Sequence, residues 1–498
     1  MQGTIIQACE NAGIQLPRFC YHSYLPVAAN CRMCLIQLED SNKPIAACAV
    51  SVQPGLKIIT NTSLIKQARE SVLEFLLINH PLDCPICDQG GECDLQDQTM
   101  IFGSDRGRFY EKKRATFDFN LGITIKTSMN RCIHCTRCIR FLQTIVQTSE
   151  LGIIGRGHDM KITTFLQQTK LASSLTGNLA DICPVGALTS KPYAFTARPW
   201  ELTSYTSIDL HDSLGNIIRI DIKGSEIMRI LPYGVGLINN EWITDKTRYS
   251  FDGLKKQKLI SPILLTKFDF INNTNFFLVN LKECFFLLKK LSADFFFIRF
   301  LVSSFILYFK LGNITDLITL NFVQLFEQSL KTIDVLHFVT DEINNKFLKL
   351  TSANLFRKNY LIPTSKFKGV NSEIDKIYYF STDPTSEYSL IFYKLNLNAE
   401  FNNVNSKLVA VKSCNTPSNI SFYIKNFGLT VQTINNNLVL FNLIKNNKSN
   451  LVFLGQPFFF RGDLENFIRL INQIIFENLN TILISVPINN STLHRVEQ

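Results

Sequence analysis

Eleven cysteines and one histidine between Cys20 and Cys183 divide into three groups of four. Cys20, Cys31, Cys34 and Cys48 are spaced C-x10-C-x2-C-x13-C. His80, Cys84, Cys87 and Cys93 are spaced H-x3-C-x2-C-x5-C. Cys132, Cys135 and Cys138 (C-x2-C-x2-C) are joined by the distant Cys183 of Cys183-Pro184. Soft thiolate donors crowded into short irregular loops suit iron–sulfur clusters. Three redox-capable sites on one stretch point to electrons passing along the chain rather than to chemistry at one pocket. In a two-cluster ferredoxin the third motif would continue x3-C-P, but Leu142 stands there, so one cubane closed by Cys183 is expected. Replacing one thiolate by the neutral imidazole of His80 removes a negative charge, which by analogy with Rieske centres acts to raise the potential. Zinc accepts the same donors, so a structural zinc scaffold is the alternative. The threefold occurrence and the wide C-x10-C opening count against it.

The elements that must position these donors are partly legible. Gln2 to Cys9 is short and apolar, Glu10 to Ile14 ends at a glycine turn, and Leu35 to Leu38 reads as a strand after the first cysteine loop. Ile65, Ala68, Val72, Phe75 and Leu76 recur at helical spacing from a start near Ser63, and Pro81 ends that helix before His80. Asp83 to Asp97 is too turn-rich for regular structure, and Gly90-Gly91 would let backbone N–H groups approach a cluster. Ile139, Leu142, Ile145 and Val146 suggest a short helix. From about Thr203 alternating residues predict a small sheet, with strands at Ser207–Leu210 and Ile217–Ile222. Farther on, Leu408–Val411, Leu429–Val431, Leu451–Leu454 and Ile482–Val486 alternate with helical segments around Ile420–Phe427 and Leu464–Ile475, the pattern of a parallel α/β sheet.

At 498 residues several domains are expected, and only Cys284 and Cys414 of the fourteen cysteines lie beyond Leu188. No secretory signal is read, which suits a reducing compartment. The most apolar stretch, Ala293 to Phe309, carries Asp294 and Arg299, so a buried core is expected there rather than a membrane span. The formal charge of +10 comes from scattered residues without a basic tract or interleaved stacking aromatics, so nucleic acid is not expected as a partner. Arg18, Arg32, Arg131, Arg137 and Arg140 stand beside the cysteines and can offset thiolate charge; solvent or a partner surface is their alternative use. His134 and His22 read as groups near a site rather than ligands, and Cys9, Cys284 and Cys414 as core. No dinucleotide fingerprint, P-loop or nucleophile–base pair stands out.

Several longer stretches resemble one family. They are Pro17–His22, Asn30–Cys34, Asn79–Asp94, Arg131–Cys138, Asp181–Tyr193 and Ala197–Glu201, within a likeness that runs from about Thr4 to Leu254. The family is the large iron–sulfur subunit (75 kDa type) of respiratory complex I, NADH:ubiquinone oxidoreductase. The resemblance implies a [2Fe-2S] cluster on Cys20, Cys31, Cys34 and Cys48. It also implies [4Fe-4S] clusters on His80, Cys84, Cys87 and Cys93 and on Cys132, Cys135, Cys138 and Cys183. It implies a relay of single electrons from NADH and flavin on a neighbouring subunit, through downstream iron–sulfur subunits, toward ubiquinone. No flavin, substrate site or transmembrane span is expected on this chain.

The fold implied is multidomain, α+β and α/β. Residues 1–62 would form a β-grasp ferredoxin-like [2Fe-2S] domain lacking its N-terminal hairpin, and residues 63–115 a helix and loop domain with the one-His three-Cys site. Residues 116–195 would form a [4Fe-4S] ferredoxin-like domain and 196–254 a small β-rich subdomain. Residues 255–498 would form a shortened, degenerate molybdopterin-oxidoreductase-like α/β domain, without molybdenum cofactor, that serves docking and packing. Some bacterial members carry a fourth cluster, but no cysteine lies between Cys183 and Cys284, so none is expected here. A hydrogenase or NAD-linked formate dehydrogenase subunit shares this cluster module and is the functional alternative, although the two late cysteines supply neither active site. The expected location is the matrix side of the mitochondrial inner membrane, in the peripheral arm, or else the cytoplasmic face of a bacterial membrane.

Overall fold

The computed structural model describes residues 3–164, 170–209, 216–234 and 241–253, Leu390, and the later strands named below. The first unit opens with helix α1 (Ile5–Asn11), which burial of Ile5, Ile6 and Cys9 holds in place. Gln7 Oε1 accepts the Thr4 N–H at 3.0 Å at its start, and Gly13 (φ +79°) ends the turn that follows. The sequence reading found an apolar segment there but no helix, because seven residues are too few for a full periodic stripe. Strands β1 (Leu35–Leu38), β2 (Ser41–Ala46) and β3 (Ile58–Ile59) form an antiparallel sheet in the order β2-β1-β3.

Helix α2 (Ser63–Ile78) starts where it was expected, with Thr62 Oγ1 accepting the Ile65 N–H at 3.3 Å. Ile65, Arg69 and Leu73 are buried and Val72 and Leu76 pack against the core, so in the expected row Phe75, 77% exposed, is the residue that faces outward. Burial of Ile65 and Leu73 contributes roughly 1.5–3 kcal/mol each. Arg69 is buried with them because its Nη2 donates to the Leu35 carbonyl at 2.9 Å and its guanidinium rests 5.5 Å from the Phe102 ring centre. The helix stops before Pro81, and Lys113 Nζ donates to the Leu77 and Ile78 carbonyls, both at 3.0 Å.

The segment expected to be irregular contains α3 (Asp94–Phe102), whose first turn carries Asp94 and Asp97 in the favourable place for the helix dipole. Next come β4 (Ile125–Thr127) and α4 (Arg137–Phe141), which continues as one wide turn over Leu142–Val146. The hairpin β5 (Leu151–Ile154) and β6 (Lys161–Thr164), then α5 (Asn178–Ile182) and β7 (Leu188–Ser190), complete this part, with β7 pairing antiparallel with β4. One continuous core joins α2, α3, α4 and α5 through Leu73, Leu95, Phe141 and Leu179 and takes in Cys93, Cys138 and Cys183. A separate core in the first unit takes in Cys9, Cys34 and Cys48.

Strands β8 (Thr203–Ile208), β9 (Ile217–Lys223) and β10 (Glu226–Pro232) form a small antiparallel sheet, in which β9 lies where alternation predicted, β8 begins four residues before the expected strand and β10 is additional, followed by α6 (Asp245–Tyr249). Beyond residue 253, β11 (Ile263–Leu265) pairs with β12 (Phe276–Leu278), and β13 (Ile306–Phe309) with β14 (Asp334–His337). Strands β15 (Lys376–Phe380), β16 (Leu408–Val411), β17 (Thr430–Gln432), β18 (Asn450–Leu454) and β19 (Thr481–Ser485) form a parallel sheet in the order β17-β16-β15-β18-β19. The expected parallel sheet is thus present, while its two connecting helices, Cys284, Cys414 and most of Ala293–Phe309 lie outside the described residues.

Asn178 at the start of α5 is fully buried and uses its whole amide. It donates to the Leu175 and Ile243 carbonyls at 2.9 and 2.8 Å and accepts from the Ile243 N–H and Arg248 Nη2 at 3.1 and 3.0 Å. Asn178→Ala would leave those buried partners unsatisfied and is expected to cost about 3 kcal/mol. A denaturant midpoint for this region indistinguishable from that of the native protein would refute that expectation.

Candidate metal centres

The first group is assembled by the β1–β2 hairpin. Pairing of Leu35 with Ala46, extended by the Ala47 N–H donating to the Cys34 carbonyl at 3.1 Å, brings Cys34 within hydrogen-bond reach of Cys48. Cys20 and Cys31 come from the preceding loop, where Ala29 and Arg32 adopt left-handed backbone (φ 54° and 58°) and the Cys20 N–H reaches Cys31 Sγ at 3.5 Å. Hydrogen bonds from the Cys31 and Cys48 thiols hold Cys20 far below the ordinary thiol value, while those bonds and burial push Cys31 and Cys48 above it. Side-chain hydrogen bonds run from Cys31 to Cys20, between Cys20 and Cys48 and between Cys48 and Cys34, so the four thiols form one soft donor set.

The second group lines a cavity of about 280 Å³ whose wall includes His80, Cys84, Cys87 and Cys93. His80 follows the end of α2, Cys84 and Cys87 sit on one tight turn, and Cys93 caps the N-terminus of α3. Burial, with smaller contributions from the charges of Lys113 and Arg131, lowers His80 to about 4, so its ring is neutral and able to ligate near pH 7. Burial pushes Cys93 up to about 11 against the pull of the Gln96 and Leu95 N–H groups. The glycines here depart from expectation. The Gly90 N–H goes to the Cys87 carbonyl at 3.0 Å and the Gly91 N–H to Gln96 Oε1 at 3.2 Å, so both are spent within the protein. A Cβ on Gly90 would meet Arg198 and the Cys84 carbonyl, and one on Gly91 (φ +94°) would meet Trp200.

The third group sits on a loop where His134 and Thr136 adopt left-handed backbone (φ 54° and 61°), closed by Cys183 at the end of α5. Its four thiols face an apolar space of about 20 Å³ between side chains such as Leu151, Ile162 and Val185. That is room for about one water, so anything larger must part the loop. Burial pushes Cys132 up to about 12, Cys135 and Cys183 up to about 11, and Cys138 well above its ordinary value. Four thiols in such surroundings ionise together only against a strong local positive charge, such as a bound metal would bring.

The three groups adjoin in the order first, third, second. Arg137 donates to the Tyr21 and Ile182 carbonyls at 2.9 and 3.3 Å, and Asn30 Nδ2 donates to the His134 carbonyl at 3.1 Å, joining the first and third groups. The Asp94 N–H and the Cys93 thiol both reach the Pro184 carbonyl, at 3.1 and 3.8 Å, joining the third and second. A Cβ on Gly186 would lie 2.2 Å from Cys87 Sγ, so the Cys183 loop can pass the second group only as glycine. Among the described residues no three His, Cys, Asp or Glu side chains converge to hold a single ion.

The neighbours that the sequence treated alike separate in space. Arg18 pairs with Glu10, Arg131 pairs with Asp83 at 3.1 Å, Arg137 faces Asp94 at 3.7 Å, and Arg32 is exposed. Cys9 is core, as read. The His134 N–H touches Cys132 Sγ at 3.4 Å and its Nε2 lies 2.9 Å from the Met160 carbonyl. His22 stacks on Trp242, a partner 220 positions away that no local pattern reveals, with ring centres 5.5 Å apart.

Comparison with known proteins gives four family models in succession. A 2Fe-2S iron-sulfur cluster binding domain matches residues 2–63, and an NADH-ubiquinone oxidoreductase-G iron-sulfur binding region matches 69–108. The ferredoxin-like domain of NADH-quinone oxidoreductase subunit 3 matches 122–189, and an NDSU1/NuoG-like 4Fe-4S domain of NADH-ubiquinone oxidoreductase matches 202–252. The last range contains no cysteine. The NADH-ubiquinone oxidoreductase 75 kDa subunit of Reclinomonas americana is 58% identical over 56% of this chain and 41% of its own length. The mitochondrial NADH dehydrogenase [ubiquinone] iron-sulfur protein 1 of Solanum tuberosum is 58% identical, and the mitochondrial 78 kDa subunit of Neurospora crassa is 60% identical. Each of these two matches covers 52% of this chain and 35% of the relative. The matches therefore span about two fifths or less of these relatives. Among solved structures, a chain of an NAD+-reducing [NiFe]-hydrogenase in the H2-reduced state aligns with TM-score 0.35 and 29% identity over 39% of this chain and 84% of that one.

Burial lowers His22 to about 4, with the charges of Arg137, Arg18 and Arg140 adding to the effect. A depressed histidine contributes stability that is fully present above its ordinary value of 6.5 and is lost as pH falls through about 4. His22→Gln is therefore expected to flatten the loss of unfolding free energy between those two pH values. Parallel pH–stability curves for variant and native protein would exclude this role.

Proposed function

We propose that this chain, whose first half carries the iron–sulfur domains of the NADH-ubiquinone oxidoreductase large subunit, is an electron-relay subunit of that complex. The observation that carries the reading is the gathering of all twelve candidate donors into three sets of four, in successive segments matching iron–sulfur domain models. Cys20, Cys31, Cys34 and Cys48 would hold a [2Fe-2S] cluster. His80, Cys84, Cys87 and Cys93 would hold one [4Fe-4S] cluster, and Cys132, Cys135, Cys138 and Cys183 another. When bound, such clusters take up and release single electrons.

The donor sets fit these groups chemically: they are soft, and the second also has volume. The remaining work belongs to the chain. Neutral His80 supplies an imidazole without a proton to displace. The third set excludes water with apolar side chains, and Arg131 and Arg137 bring positive charge to loops that would otherwise resist ionisation. The loop from Cys183 to Leu188 adjoins the second group and, through Arg137, the first, so no long stretch of protein separates neighbouring sets. The partners would be a flavin- and NADH-binding subunit on one side and further iron–sulfur subunits leading to ubiquinone on the other. The site of action would be the matrix side of the mitochondrial inner membrane. Among the described residues no helix is long and apolar enough to cross a membrane. The parallel sheet β15–β19 would belong to a degenerate molybdopterin-oxidoreductase-like domain that serves docking.

Metal analysis of the purified protein should find about ten irons per chain, with acid-labile sulfide and one [2Fe-2S] and two [4Fe-4S] EPR signals after reduction. About three zincs and no signal would replace this reading with a structural scaffold. Cys87→Ser and Gly186→Ala should each remove about four irons per chain and one [4Fe-4S] signal while the other two signals persist. Retention of all three signals in either variant would count against the second ligand set.

A further inference from the structure

One arginine differs from its neighbours in what it touches. Arg131 and Arg137 each face a carboxylate, Asp83 and Asp94, which cancels part of their charge. Arg140 aims its whole fork at neutral acceptors. Its Nε donates to Thr136 Oγ1 at 3.2 Å and Nη1 to the Pro26 carbonyl. Its Nη2 donates to two carbonyls, that of Cys20 in the first group and, at 3.1 Å, that of Cys135 in the third.

A partly buried guanidinium without an acidic partner is costly to keep unless negative charge comes from elsewhere. Among the described residues no carboxylate pairs with its fork, and the loops it ties together carry the candidate ligands Cys20 and Cys135. We infer that Arg140 is a positioning residue shared by the first and third groups: its fork fixes the Cys20 loop against the Cys135 loop, and its uncancelled charge stabilises added negative charge at both. This rests on the iron–sulfur reading above. An electron added to a cluster makes it more negative, so a fixed cation beside it favours the reduced form, and removing that cation shifts the potential to more negative values. Arg140 donates to no backbone carbonyl of the second group, which therefore serves as the internal control.

The test is an EPR-monitored redox titration of the full chain and of its Arg140→Gln and Arg140→Lys variants, with iron and sulfide measured on each. In Arg140→Gln the [2Fe-2S] signal and one [4Fe-4S] signal should shift together to more negative potential, with the other [4Fe-4S] signal unmoved. Arg140→Lys, which keeps the charge but not the fork, should restore more than half of both shifts. A shift at one centre only, at all three, or at none overturns the inference. If Arg140→Gln loses iron, the lysine variant decides: native-like potentials at both centres support a shared charge, and a change confined to one centre, or iron loss there too, refutes it. Absence of the cluster signals from the native chain would instead be a failure of the iron–sulfur reading itself, visible before any variant is compared.

Discussion

A thiol in an apolar interior resists ionisation, and the N-terminal half of this chain is organised around that resistance. Cys93, Cys132, Cys135 and Cys183 are each pushed up to about 11 or 12 by burial, so none is an anion without help. The help must be positive charge brought close without water. Arg137 and Arg140 bring part of it to Cys135 while their donors go to the carbonyls of Ile182, Tyr21, Cys20 and Cys135. The side chains that balance charge are therefore also the ties that hold the ligand loops. Placing the cysteines in the hydrophobic cores follows from the same constraint, because a dry wall strengthens every interaction between thiolate and cation.

What could be read from the sequence follows from how locally each feature is determined. The candidate donor groups stand out in sequence because most of their members share short loops, Cys183 being the distant exception. Helix α2 was legible because Thr62, a sixteen-residue length and an apolar period agree. Helix α1 was missed because its stability comes from packing of Ile5, Ile6 and Cys9 in a core supplied by other segments. Helix α3 was missed because glycines and aspartates upstream mask a start whose cap is a cysteine. Phe75 fits the helical period yet faces outward, since Arg69 takes the interior place through contacts with Leu35 and Phe102. The adjacency of first, third and second groups could not be read at all: it depends on contacts such as Arg140 to Cys20 and Cys93 to Pro184, which span 120 and 91 positions.

The segment after the third group shows how far a domain likeness can be carried residue by residue. Residues 202–252 match a domain named for a [4Fe-4S] cluster, yet they hold no cysteine. Hard oxygen and nitrogen donors occupy the interior between this segment and α5. Thr247 Oγ1 donates to Asp209 at 2.6 Å, and Arg248 Nη1 and Nη2 donate to Asp181 at 3.0 and 2.5 Å. From β10, Arg229 grips Glu92 through both terminal nitrogens at 2.7 and 2.8 Å, one residue before Cys93. Asp181 likewise lies two residues before Cys183. These groups are spent on one another, and such charge-assisted hydrogen bonds are strong ties where water is partly excluded. The segment thus acts on the second and third groups mechanically, by anchoring the chain immediately before a candidate ligand in each.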